Sequence, residues 1–173
     1  VAEGTGIAAL DDLDMASRLS LFLWSSLPDD ELLQAAQRGE LRTADQIAAQ
    51  TQRMRKDPRV SRLSREFLGQ WLRYRDCLEK DPINASAFDG YSDELRQAVF
   101  DEPTHLATWL IQEDRPVTEL LTSDATHVNE KLANHYGGSI LEQYRRATRS
   151  PPSADADWVL VNGLQSQGRD AFG

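Results

Sequence analysis

Residues 11–39 read DDLDMASRLSLFLWSSLPDDELLQAAQRG, and two helices with their punctuation are legible in them. Met15, Leu19, Phe22 and Leu23 recur at i, i+4, i+7 and i+8, one face of a 3.6-residue period. Asp11, Asp12 and Asp14 stand at the start, where the positive end of a helix dipole favours them. Ser25 and Ser26 weaken the helix ahead of Leu27-Pro28. Pro28 suits a first helical position, since its missing N–H has no intrahelical partner there. Asp29, Asp30 and Glu31 then fill a first turn, Leu32, Leu33 and Ala36 form a face, and Gly39 suits a left-handed stop.

The same grammar extends outward. Thr43 and Gln46 have capping-box spacing, and the helix they open ends by Asp57-Pro58, because the residue before Pro avoids the α region. Val60, Leu63, Phe67, Trp71 and Leu72 make the next stripe. Residues 76–91 (DCLEKDPINASAFDGY) read as a loop. Ser92 caps a helix through Leu95, Val99, Leu106, Trp109 and Leu110, with a kink or break expected at Pro103. Arg115-Pro116 opens a short helix to Leu121. Asp124 or Thr126 caps another through Val128, Leu132 and Tyr136, ending at Gly137-Gly138. Ile140 to Arg146 is compatible with helix, Ser150 to Ser153 reads as a linker, and Trp158 to Val161 reads as strand or buried coil.

Leu occurs 22 times against 12 for Ile and Val together, a balance that favours helix. The expectation is an all-α bundle of six or seven helices. An irregular lead-in covers 1–10, the helical domain 11–138, and a divergent or truncated, irregular tail 139–173. Leu19, Phe22, Leu63, Phe67, Trp71, Leu106, Trp109 and Leu132 are expected to be buried together, with Trp24 also on an apolar stripe.

A chain of 173 residues can bury about 70% of its unfolded surface, so its core needs neither disulfide nor metal. The net charge of −9 argues against nucleic acid or anionic membrane as a partner of the whole surface. The longest apolar run, around Leu21 to Trp24, is far too short to span a bilayer. Cys77 is the single cysteine, which rules out an intrachain disulfide, a zinc ribbon and a CxxCH haem attachment. The chain opens at Val1 without a leader-like segment, as a processed protein or a piece of a larger one would.

Phosphate-loop and nucleophile-elbow patterns are missing. On a helix, His127, Glu130 and Asn134 would share a stripe, but HExxH and HxxEH both fail, so no metal site is expected. The acidic pairs, Asp101-Glu102 among them, read as helix starts or polar faces. Between Gln52 and Arg75 stand eight basic residues against Asp57 and Glu66, a net +6 that leaves −15 for the remainder. Its candidate basic face is Arg55, Arg59 and Arg62, with neutralisation of the chain's own acidic surface as the preferred reading. The one candidate site is Asn129, Glu130, His135 and Tyr136, where a helix end sets an imidazole beside a phenol. It reads as a polar clasp fixing the last helix, with a ligand site as the alternative.

Four strings together resemble a known family: ASRLSLFLWSSLPDDELLQAA at 16–36, LRTADQIAAQTQRMRKDPR at 41–59, FLGQWL at 67–72 and VNEKLANHYG at 128–137. Over about residues 10–138 the chain resembles a domain of unknown function found in large exported proteins of planctomycetes and related bacteria. These often carry a separate c-type cytochrome module. The resemblance implies a helical domain in a multidomain chain of the periplasm or cell surface. Its partners would be neighbouring domains of the same polypeptide or an exported redox partner. No cofactor is implied in this chain, with haem c confined to another domain of the parent. The implied function is a noncatalytic module that positions neighbours or binds a partner. The alternative is part of a redox-linked enzyme acting on polysaccharide-derived material.

Overall fold

A computed structural model describes residues 10–75, 90–149 and 157–163. The expected lead-in, the loop at 76–89 and the linker at 150–153 lie outside them, apart from Leu10. Among the described residues the fold is mostly helical, with one two-stranded sheet, and the chain divides into compact units 1–63 and 64–173. No helix among the described residues is long and apolar enough to cross a membrane.

The first unit packs α1 (Asp12–Trp24), α2 (Asp30–Gln37) and α3 (Ala44–Arg55), followed by a 3-10 turn (Pro58–Val60) and the short α4 (Ser61–Leu63). Each main helix has a side-chain cap. Asp11 accepts from Asp14 N, Asp29 from Leu32 N, and Thr43 and Gln46 close a reciprocal capping box. Pro28 therefore precedes the cap instead of occupying the first helical position. Gly39, at φ 72°, ends α2 in a Schellman arrangement, with Glu40 N donating to Ala35 O and Gly39 N to Ala36 O.

The buried stripe of α1 is Asp12, Ala16, Ser20, Leu23 and Trp24, while Phe22 is 61% exposed. Small residues on this stripe let α1 approach its neighbours closely, and a count of large apolar residues overlooks them. Trp24 is fully buried beside Leu32, Ala35 and Met54, and its indole N–H donates to Met54 O at 3.0 Å.

In the second unit a π-helical turn (Ser64–Leu68) runs into α5 (Gly69–Trp71). A π turn holds about 4.4 residues against 3.6 in an α turn, so five residues advance about 90° less around the axis. The α stripe drawn through Phe67 and Trp71 therefore does not hold. Both rings lie exposed, at 55% and 61%, stacked on each other with centroids 6.2 Å apart. Neither belongs to the core expected of them.

Helix α6 (Asp93–Gln112) is capped by Ser92 and stays continuous through Pro103. The expected break is absent because long flanking turns, buried through Ala98, Phe100, Ala107 and Leu110, hold the helix on either side of the one lost bond. After the single turn α7 (Glu119–Thr122) comes β1 (Ala125–Val128), where a helix was expected. Its alternating Thr126 and Val128 are buried, and β-branched side chains suit that pleated, half-buried setting.

Asn129 then caps α8 (Glu130–Tyr136), and Gly137, at φ 64°, turns the chain into α9 (Gly138–Ala147). Strand β2 (Val159–Asn162) pairs antiparallel with β1 in the register Ala125↔Asn162 to Val128↔Val159. The Gln143 amide of α9 both donates to and accepts from the Asn162 backbone. The helix takes in the Ile140 to Arg146 stretch read as compatible with helix, and the strand takes in most of the Trp158 to Val161 run, so these parts of the tail expected over 139–173 are regular. The core of this unit gathers Ala98, Val128, Leu132, Ala133, Ile140 and Val161. Leu132 is fully buried, and Leu106 and Trp109 are half-buried.

Candidate functional site

The polar cluster of the second unit is built on α6, where Glu102, His105 and Trp109 recur at i, i+3 and i+7 on the side that packs against β1. The Glu102 carboxylate is buried between two hydroxyls. Thr126 Oγ1 of β1 donates to Oε1 at 2.7 Å, and the Tyr136 phenol, at the end of α8, donates to Oε2 at 2.6 Å. Burial pushes the Glu102 carboxyl above its ordinary value, against the opposing pull of the two hydroxyls and of nearby His135. Tyr136 is also pushed up, first by burial and then by the adjacent carboxylate. A single side chain of α6 thus ties down both β1 and α8.

One turn along, four rings come together. His105 stacks on Trp158 with centroids 4.2 Å apart. His127 lies 6.2 Å from His105 and meets Trp109 edge-on at 6.0 Å. Burial lowers both imidazoles, His127 to about 4 with some help from His105, whereas Asp101 opposes the shift at His105. His127 Nδ1 is buried without a hydrogen-bond partner among the described residues. The guanidinium of Arg115 lies 4.6 Å over the Trp109 ring.

The four residues singled out from sequence take separate places. Asn129 is the cap of α8, accepting from Leu132 N at 3.0 Å. Glu130 and His135 are exposed, and Tyr136 reaches inward to Glu102. His135 and Tyr136 do meet, ring centres 5.7 Å apart. The helical stripe of His127, Glu130 and Asn134 does not form, because His127 belongs to a strand. Glu102, Thr126, His105 and Trp158 were not singled out. The signal was the i, i+3, i+7 spacing on α6, and the reading of Asp101-Glu102 as a polar face concealed it.

The basic residues of the first unit turn onto its own groups. Arg59 lies 3.5 Å over the Trp24 ring and pairs with Asp57 at 2.6 Å and Asp29 at 3.3 Å. Arg62 donates to Trp24 O at 3.3 Å, and Arg55 to Gln52 at 2.6 Å. Arg53 forks onto both oxygens of Asp29, and these contacts hold the Asp29 carboxyl down at about 2.

The sequence model of the family described as protein of unknown function (DUF1592) matches residues 10–137. The chain belongs to this family. No curated protein and no solved structure matches it. The DUF1592 match takes in the whole Glu102–Thr126–Tyr136 clasp and both His105 and His127, but stops short of Trp158 and β2.

Proposed function

We propose that this chain is a noncatalytic helical module of a larger exported, cytochrome-linked protein, in which it positions neighbouring domains of the same polypeptide. The observation that carries this reading is the exposed, stacked pair of Phe67 and Trp71, extended by Leu72 at 40% exposure. Trp and Phe present large apolar faces, and such residues dominate protein–protein contacts when desolvated. Export and the cytochrome rest on the family resemblance. The arrangement of the polar residues favours a module over a redox-linked enzyme acting on polysaccharide-derived material. Asn129 is committed as a cap, and Tyr136 and Glu102 to each other.

The test places a photo-crosslinking residue at position 67 in the full-length parent protein. Crosslinks should map to a flanking domain and fall away on Trp71→Ala. Crosslinks confined to a separate exported redox protein would shift the role from positioning to partner binding. No protein crosslink at all would sink both.

A further inference from the structure

We infer that His105 and His127 form a two-ligand site for a soft, univalent transition-metal ion of the copper(I) class, walled by Trp109 and Trp158. The geometry comes first. About 2.0 Å for each metal–nitrogen bond and about 1.1 Å from each nitrogen to its ring centre give about 6.2 Å between imidazole centres in a linear bridge. The two rings stand 6.2 Å apart. The 34° between the ring planes is compatible with such a bridge when it is taken up as twist about the bridge axis. The ligands come from different elements, α6 and β1, so the site exists only once the helix has docked on the strand.

A second observation is the buried Nδ1 of His127, which has no hydrogen-bond partner among the described residues. Buried polar atoms are nearly always paired, and an ion is one of the few explanations for an orphan. The chemistry of the surroundings selects the ion. Imidazole suits copper and zinc, but a structural zinc site wants four ligands, and no group of three or more His, Cys, Asp or Glu is placed for a metal among the described residues. Two imidazoles with indole rings beside them suit a low-coordinate ion instead. An ordinary imidazole is already mostly neutral at pH 7, so its lone pair is available to a metal there. Asp101, on α6, is the carboxylate that acts on His105, and a cation is compatible with it. The Arg115 charge lies over Trp109, and Glu102, one turn from His105, is taken up by its two hydroxyls.

The test uses the full chain carrying Cys77→Ser, because a thiolate would compete for the same ion. Silver(I) serves as the redox-inert probe, and copper(I) is delivered under reductant against a chromophoric chelator. One equivalent should bind, with quenched tryptophan fluorescence and X-ray absorption showing two nitrogen neighbours in line. His105→Gln, at a half-buried ring of α6, should weaken binding at least about tenfold with its circular dichroism unchanged. A measurement free of substitutions at the site follows imidazole 15N resonances on addition of silver(I). Those of His105 and His127 should shift together, while exposed His135 stays still. Binding that is absent at micromolar ion, that survives His105→Gln, or that moves His135 in place of the pair would overturn the assignment.

Discussion

Removing the phenol of Tyr136 tests how the second unit is held together. In Tyr136→Phe the ring volume is kept, and only the 2.6 Å hydrogen bond to the Glu102 carboxylate is lost. A hydrogen bond to a charged group contributes about 1.5–3 kcal/mol, and leaving a buried carboxylate oxygen unpaired puts the cost toward the upper half of that range. Glu102→Gln keeps the shape and removes the charge. The amide oxygen still accepts one hydroxyl, so the expected cost is smaller, about 1 kcal/mol. The pH dependence carries a sign. The folded carboxyl is raised above its ordinary 4.5, so the native state holds its proton more tightly than the unfolded chain does. Its stabilising contribution is complete below about 4.5 and declines as pH rises through the folded value. Glu102→Gln should flatten this decline, and Tyr136→Phe should steepen it by removing a group that favours the charged form. Urea unfolding from pH 4.5 to 8 reads the energies, and hydrogen exchange at β1 amides assigns them to this unit. A Tyr136→Phe cost under about 0.5 kcal/mol, or an unchanged slope in Glu102→Gln, would refute the clasp.

Three further outcomes are expected. Trp71→Ala should cost less than about 1 kcal/mol in urea unfolding, because the ring is 61% exposed, where a core tryptophan would cost about 3–5 kcal/mol. Asp29→Asn preserves a good helix cap but loses the Arg53 and Arg59 contacts. It should cost about 1–2 kcal/mol at pH 7, and the difference from the parent should vanish as pH falls from about 4 through about 2, read by denaturation at each pH. Pro103→Ala restores a helical N–H in the middle of α6 and should raise the melting temperature, with a gain of about 1 kcal/mol or more; a lower melting temperature would mean that the local geometry depends on the proline ring.

Legibility followed the range of the physics involved. Caps and stops are local, and Thr43–Gln46, Gly39 and Ser92 could be read directly. The π turn at Ser64–Leu68 could not, because its stabilising contacts are distant in sequence. Thr108 Oγ1 donates to Ser64 Oγ at 2.9 Å and the Tyr74 phenol to Ser64 O at 2.6 Å. The strand at Ala125–Val128 was hidden for a similar reason. Four residues carry too little periodicity to separate from a helix start, and the partner strand lies beyond residue 158. Tyr136 stood out as a helix-end residue, but Glu102, on the middle of a different helix, had no local mark of its burial.

The pairing of β1 with β2 bears on where this protein can be cut. The family match ends at residue 137, between the two strands of one ribbon. A fragment stopped there would keep Ala125–Val128 without Val159–Asn162, and with it a row of unpaired backbone donors and acceptors beside an uncovered Val128. Such an edge is a template for intermolecular pairing. The fragment is therefore expected to associate and precipitate, whereas one carried through residue 163 should stay dispersed. Sequence-defined and physically closed boundaries differ here by one strand, and recombinant work on relatives should extend past the glycine pair until the returning strand is included.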